Sequence, residues 1–162
     1  MDLLQITFIT ATILCSLVAG FLLAFSLVVM PGIKNLDDRN FLKAFRGMDL
    51  IIQNNNPIFM IVWVGSVLSI IALVIQGVQV YEGYKLLAVL AITIFYLLGV
   101  QLPTASINIP LNNRVQKLDL ETLDEVSLKI ERDHFERRWN RSNIIRTIFA
   151  VLTSILLVVF DA

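Results

Sequence analysis

Four polar side chains interrupt a long apolar stretch of the chain at intervals of three or four residues: Gln101, Thr104, Asn108 and Asn112. On an α-helix this spacing places all four along one face. Amides and hydroxyls donate and accept hydrogen bonds, so they can bind polar atoms of a ligand or of another helix. If the stretch crosses a membrane, they must face the protein interior, because unpaired polar groups are costly in hydrocarbon.

A second polar set lies nearer the C-terminus, where Trp139, Asn143 and Arg146 share one helical face. Arg146 has no acidic residue within helical reach, so amides, backbone carbonyls, water or an anionic ligand must satisfy its guanidinium. We expect it to contact Asn108 and Asn112. The alternative is that Arg146 extends to the membrane surface and only anchors its helix there.

The end of the first apolar stretch and the start of the second bring aromatic and polar residues to the same membrane depth as the two polar sets above. Asn56 also has a purely structural interpretation, because it precedes Pro57 as a natural helix N-cap. The polar face that begins at Gln101 also has a purely structural interpretation, in which its side chains form hydrogen bonds between helices. The candidate ligand-binding residues are Phe25, Ser26, Met30, Asn56, Phe59, Gln101, Thr104, Trp139 and Asn143.

Candidates for acid–base or metal chemistry are few. His134 is the only histidine, and it lies about 100° around the helix from the Trp139 face, which favours a solvated position. One His, one Cys and no carboxylate inside an apolar stretch give no metal-site spacing. A formal net charge of +0, without an exposed basic face outside the loops, gives nucleic-acid binding no support, and no nucleic-acid partner is expected.

The composition indicates an integral membrane protein, with 57% hydrophobic residues and a mean hydropathy of +0.77. Four stretches are long enough to cross a bilayer: residues 3–30, 57–78, 85–111 and 144–160. The first is too long for a cleaved signal peptide and has no basic residue ahead of it, so we interpret it as a retained span.

Positive charge predicts the orientation. Of the 13 Lys and Arg residues, all but Lys85 and Arg146 lie between spans one and two or between spans three and four. Because basic loops stay in the cytoplasm, both of these loops should be cytoplasmic and both termini outside. The expected location is the bacterial inner membrane, in a multi-pass arrangement.

Both basic loops carry helical patterns. After Asp37, a natural N-cap, an apolar stripe predicts a short amphipathic helix. In the second loop, Thr122 to Glu125 has the spacing of a capping box, and no Gly or Pro follows Val115. The prediction is one long helix from about Leu123 into the fourth span. Residues 1–162 should therefore form one all-α domain, a membrane four-helix bundle with an amphipathic cytoplasmic helix and a long cytoplasmic extension of the fourth helix.

The order of several short motifs along the chain resembles the anthrone oxygenase family, including its bacterial branch of unknown function. The resemblance covers nearly the whole chain. The motifs are Phe25-Ser26 with Met30-Pro31-Gly32, Asn56-Pro57-Ile58-Phe59-Met60, Thr104 with Asn108-Ile109-Pro110-Leu111-Asn112, and Trp139 with Asn143-Ile144-Ile145-Arg146-Thr147.

The resemblance implies a four-helix membrane protein, and in fungal members oxidation of an anthrone to an anthraquinone by O₂, without metal or flavin. No cofactor is therefore expected. Asn108, Asn112 and Arg146 would be the catalytic donors to the developing oxyanion, and Phe25, Met30, Phe59 and Trp139 would form an apolar slot. The general base is open between His134 and Asp49.

Two functions remain open on the sequence. One is a membrane-embedded, cofactor-independent oxygenase acting on an anthrone-like or quinone-like aromatic molecule. The other is a non-catalytic membrane protein that binds a small molecule or a partner helix through the same Asn/Arg cluster. The expected partners are the lipid bilayer and a hydrophobic small molecule, and self-association as a homo-oligomer is left open. An aromatic cavity inside the bundle would favour the oxygenase.

Overall fold

The computed structural model describes residues 1–161, with side chains described through residue 160, and within them it contains five helices and no strand. Four of the helices are long and apolar enough to cross a membrane, which confirms the predicted all-α bundle. Each predicted span lies inside one of these four. The helices are α1, Leu3–Ile33; α2, Asp38–Gln53; α3, Pro57–Val80; α4, Gly83–Lys117; and α5, Glu125–Asp161.

The bundle has two distinct ends. At one end a short turn joins α3 to α4. Gly83 in this turn has a φ of +57°, a backbone conformation that residues other than glycine rarely adopt. At the other, α2 packs beside the end of α4 and the first half of α5; we call this the α2 end. Between the ends, α1 packs against both α3 and α5 around buried residues such as Phe8, Leu73 and Tyr96.

Three short π-helical segments interrupt the α-helices, and each lies just before a proline. Phe25–Val29 precedes Pro31, Leu97–Gln101 precedes Pro103, and Thr104–Asn108 precedes Pro110. Proline lacks an N–H and its ring clashes with the carbonyl four residues earlier, so the helix widens before it. In each case the residue just before the proline donates its N–H to the carbonyl five residues back. Such segments are frequent at functional sites.

The amphipathic helix α2 forms as predicted, and its apolar stripe does not lie free on a membrane surface. Asp37 caps it by accepting a hydrogen bond from the Asn40 backbone N–H at 2.9 Å. Phe41 and Phe45 are almost fully buried against Phe135 of α5. The helix therefore docks on the bundle and closes its α2 end.

The long helix α5 begins two residues later than predicted. Asp124, not Thr122, is its cap, since the Asp124 carboxylate accepts a hydrogen bond from the Ser127 backbone N–H at 2.7 Å. The predicted buried face is present, because Leu128, Phe135, Trp139, Asn143, Arg146 and Ala150 are each at most 4% exposed. The predicted extension and the fourth predicted span are thus one continuous helix.

Candidate functional site

All five helices contribute to an internal cavity of about 260 Å³ toward the α2 end of the bundle. Its wall is mostly aromatic and aliphatic, with a few polar groups turned inward. That combination is typical of small-molecule sites, although this cavity is small for one. We describe its polar groups first, because they determine which ligand chemistry it can accept.

Arg146 lies in the wall of this cavity and is only 4% exposed. One terminal nitrogen donates to the Thr104 hydroxyl at 3.0 Å and the other to the side-chain oxygen of Asn143 at 2.9 Å. Its Nε has no hydrogen-bond partner among the described residues. The interpretation of Arg146 as an exposed anchor is therefore wrong, and its third-span partner is Thr104, not an amide.

Among the side chains described, Arg146 forms no ion pair, which is unusual for a buried cation. The Trp139 ring partly compensates, since the guanidinium carbon lies 5.7 Å from its centroid. A buried, positively charged group with an unused donor favours a ligand that brings an oxygen with negative or developing negative charge.

Asn108 presents a second unused donor to the cavity. Its side-chain oxygen accepts a hydrogen bond from Ser142 at 2.6 Å, which orients the amide. Its Nδ2 is buried and has no partner among the described residues. A buried amide nitrogen without an acceptor is energetically costly, so this group too is set up for an acceptor atom that a ligand would supply.

Asp49 brings a carboxylate to the same cavity and is 3% exposed. Three side-chain amides donate to it: Asn112 to Oδ1 at 2.7 Å, and Gln53 and Gln116 to Oδ2 at 2.7 and 2.8 Å. Because a carboxylate has about four lone-pair sites, one on Oδ1 stays unused. The cavity therefore contains a fixed proton acceptor as well as unused donors.

Asn112 connects this carboxylate to the aromatic wall. Its amide nitrogen donates to Asp49, and its oxygen accepts from the indole N–H of Trp139 at 2.8 Å. Both ends of the amide are engaged, so Asn112 orients Asp49 and Trp139. Its position gives it a supporting role rather than that of a free donor.

The apolar wall is built from interlocking rings. Phe59 stacks on Trp63 at 5.4 Å between centroids, with Phe21 edge-on to Phe59 at 5.2 Å. On the other side Trp139 contacts Phe25 at 5.6 Å and Phe45 at 5.4 Å. Flat aromatic faces of this kind suit a flat aromatic ligand.

Eight of the predicted site residues line this cavity and four do not. Gln101 accepts from Trp63 and donates to the Tyr96 hydroxyl, so it joins α3 to α4, and Asn56 caps α3. The Ser26 hydroxyl accepts a hydrogen bond from Asn143. Met30 belongs to the buried apolar cluster around Phe41 and Phe45 of α2. The eight that line it are Phe25, Phe59, Thr104, Asn108, Asn112, Trp139, Asn143 and Arg146.

Sequence reasoning missed the other half of the lining. Asp49 was considered only as one of two possible bases and was not counted among the lining residues, because a charged residue near the end of an amphipathic helix is normally taken to face solvent. Its signal was present, since Asp49 lies four residues after Phe45 and so falls on the buried stripe. The remaining missed residues are Phe21, Leu22, Phe45, Ile52, Met60, Trp63 and Ile109.

His134 lies outside the cavity lining and contacts Arg138 at 2.9 Å, so of the two candidate bases only Asp49 reaches the site. Within the described residues, no three His, Cys, Asp or Glu side chains are grouped so that they could hold a metal ion.

The fold and site define a small protein with four helices that are long and apolar enough to cross a membrane, and with an aromatic-lined cavity that contains polar groups. A model of the anthrone oxygenase family matches residues 48–156, about two thirds of the chain, and the chain belongs to that family. The match includes Asp49 and all cavity residues of α3, α4 and α5, whereas α1 lies outside it. Neither a comparison with curated proteins nor one with solved structures finds a match.

Proposed function

We propose that the protein is a membrane-embedded oxygenase that oxidises an anthrone-like or quinone-like aromatic molecule with O₂ inside this cavity. One observation carries the proposal. The unused donors of Arg146 and Asn108 and the carboxylate of Asp49 line the same aromatic cavity, without an ion pair between Arg146 and Asp49. Family membership supports the type of reaction.

Deprotonation is the first step in this proposal. The ring CH₂ opposite the carbonyl of an anthrone is acidic, because the resulting anion is delocalised onto the carbonyl oxygen. Asp49 takes the proton through the unused lone pair on Oδ1. Arg146 and Asn108 donate hydrogen bonds to the oxygen on which negative charge develops, in a setting largely shielded from water.

The electron-rich anion then reduces O₂. A C–O bond forms to give a peroxide, and Asp49 returns its proton to the outer oxygen. Loss of the second C–H proton breaks the O–O bond, leaving a new carbonyl on carbon and releasing the other oxygen as water. One anthrone and one O₂ thus yield one quinone and one water, and the substrate itself supplies all the electrons.

The test is O₂ consumption by the purified protein in lipid nanodiscs with a hydroxylated anthrone, in chelator-treated buffer. Empty nanodiscs give the rate of spontaneous oxidation, which is subtracted. Asp49→Asn removes the base, and we expect the rate to fall by about 10²–10⁴-fold. Asn108→Leu removes one donor at similar size, and we expect a loss on the order of 10²–10³-fold.

Two control variants test whether these losses are specific. Asp133→Asn removes an exposed carboxylate of α5, and Ser106→Leu changes an exposed position of α4 outside the cavity lining. Both should keep the wild-type rate. Consumption that vanishes with chelator would overturn the cofactor-free reaction. Ligand binding without any O₂ consumption, across several anthrones and hydroquinones, would favour the non-catalytic binding protein.

A further inference from the structure

The most exposed residues of the cavity lining lie on α3 and α4. Met60 of α3 is 36% exposed and Ile109 of α4 is 47% exposed. Both are apolar and lie on helices that can cross a membrane. The exposed rim of the cavity is therefore hydrophobic, whereas its polar groups are buried deep inside.

The two helices separate where this rim lies. Near the Gly83 turn, α3 packs along α4 as far as Tyr96, but from Leu97 to Lys117 the helices have few close contacts. Two hydrogen bonds frame the gap. Trp63 donates to Gln101 at 3.1 Å on the side toward the bundle centre, and Gln53 donates to Asn113 at 3.2 Å on the side of the α2 end.

Two other sides of the cavity are closed. Toward the α2 end, Phe45, Phe135 and Trp139 pack together and each is at most 4% exposed. Between α1 and α5, Asn143 donates to the Ser26 hydroxyl at 2.7 Å and to the Leu22 carbonyl at 3.1 Å, which seals that side. The gap at Met60 and Ile109, which we call the lateral opening, is where the cavity lining is most exposed.

We propose that the ligand enters and leaves through the lateral opening directly from the bilayer, so the substrates are uncharged aromatic molecules dissolved in the membrane. This inference rests on the proposed function for the identity of the ligand. A charged or sulfonated analogue should be excluded, because it would have to cross an apolar rim and lose its hydration.

The readout uses the only two tryptophans of the chain, Trp63 and Trp139, which both line the cavity. In nanodiscs, 1,8-dihydroxyanthraquinone, an unreactive product-like probe, should quench tryptophan fluorescence in a saturable way. Dye dissolved in the surrounding lipid adds only a linear background. Association is followed on mixing, and dissociation as recovery of fluorescence after an excess of empty vesicles is added.

Met60→Phe combined with Ile109→Phe narrows the lateral opening. A blocked path slows entry and exit alike, so both rates should fall by about tenfold or more while Kd changes far less. The matched controls are Ile61→Phe and Leu98→Phe, which are 67% and 58% exposed and do not line the cavity. These should keep wild-type rates. Ile109→Ala, which widens the opening, should raise both rates and does not depend on the double variant folding.

The outcomes separate the two proposals. Equal rates in wild type and in both the narrowed and widened variants, with binding intact, would overturn the lateral opening and leave the proposed function standing. Saturable quenching by a sulfonated analogue from the aqueous phase would also overturn it. If the wild type shows no saturable quenching by any anthrone or anthraquinone, the ligand itself is wrong and the proposed function fails first.

Discussion

At the scale of single residues, the site depends on polar groups that the protein leaves incompletely paired. Arg146 Nε and Asn108 Nδ2 are buried donors without acceptors among the described residues, and Asp49 Oδ1 accepts only one hydrogen bond. Unpaired buried donors lower the stability of the empty protein. Their retention at one cavity is the kind of local cost that functional sites commonly carry.

Arg146→Lys tests whether the planar guanidinium is required. Lysine keeps the positive charge but cannot reach Thr104 and Asn143 together in the same fork-like geometry. We expect a loss of about 1–3 kcal/mol in stability, from acceptors left unpaired in the interior. The thermal unfolding temperature in detergent measures this loss.

The control for this variant is Arg141→Lys, an exposed arginine one turn earlier on α5. It should unfold at the wild-type temperature. If Arg146→Lys also unfolds at the wild-type temperature and binds the anthraquinone probe normally, then positive charge alone suffices at position 146. The planar geometry of the guanidinium would then have no role.

At the scale of helices, close approach of α4 and α5 depends on one glycine. A Cβ built on Gly99 would lie 2.7 Å from the Cβ of Phe149 and 2.0 Å from its ring. Because part of that clash involves the base of the side chain, rotation of the ring cannot relieve it. Gly99→Ala should therefore destabilise the bundle by about 1–3 kcal/mol.

The matched comparison is Gly20→Ala on α1, where an added Cβ meets nothing within 4 Å. Helix propensity alone predicts no loss there, and a gain of up to about 1 kcal/mol. Chemical or thermal unfolding of both variants in the same detergent gives the difference. Equal stability of the two alanine variants would mean that α4 and α5 can move apart freely.

The start of α5 is sensitive to pH. The hydrogen bond from the Ser127 backbone holds the pKa of the exposed Asp124 carboxyl below its usual value of 3.8. A lowered folded-state pKa stabilises the helix start fully above the usual pKa, and this stabilisation is lost as the pH falls from there through the lowered pKa of the folded state. Fraying near residue 125, followed by limited proteolysis, should increase at acidic pH.

Asp124→Ala should show the same fraying already at neutral pH, whereas Asp124→Asn should retain most of the cap and lose its pH dependence. Thr122→Ala serves as the control, since Thr122 does not cap the helix. Cleavage that is identical in all three variants would show that Asp124 does not determine where α5 begins.

Much of the helical architecture could be predicted from the sequence, because it depends on local patterns. Apolar length predicted the spans, and spacing predicted the buried face of α5 from Leu128 to Ala150. The docking of α2 could not be predicted, since an amphipathic stripe fits a membrane surface and a protein surface equally well. That single contact brings Asp49 into the cavity, which explains why the base was the weakest part of the sequence interpretation.

At the scale of the whole molecule, the basic residues of α2, the end of α4 and the first half of α5 gather at the α2 end. Arg39 binds the carbonyls of Leu120 and Leu123, and Arg132 binds those of Lys34 and Leu36. The first pair of contacts joins α2 to the α4–α5 loop, and the second joins α5 to the α1–α2 loop. These two charged side chains therefore contribute to packing at the α2 end.

We predict that the α2 end faces the cytoplasm. The asymmetry of eleven Lys and Arg residues between Lys34 and Arg141 against Lys85 alone motivates this orientation. A fluorescent protein that matures only in the cytoplasm should stay dark when fused after Ala162. Inserted between α4 and α5, it should be bright. The reverse pattern would place the cavity at the opposite face of the membrane.

The three proline-linked π-helical segments have a consequence for the evolution of this chain. A π turn holds about one residue more than an α turn, so each segment is equivalent to a one-residue insertion that the helix absorbed without breaking. Removal of that residue would rotate everything beyond it by about 100°. In α4, deletion of Ala105 would turn Asn108 and Asn112 away from the cavity while leaving Gln101 and Trp63 in register. Across the family, length changes within these segments should therefore mark changes of ligand more reliably than substitutions do.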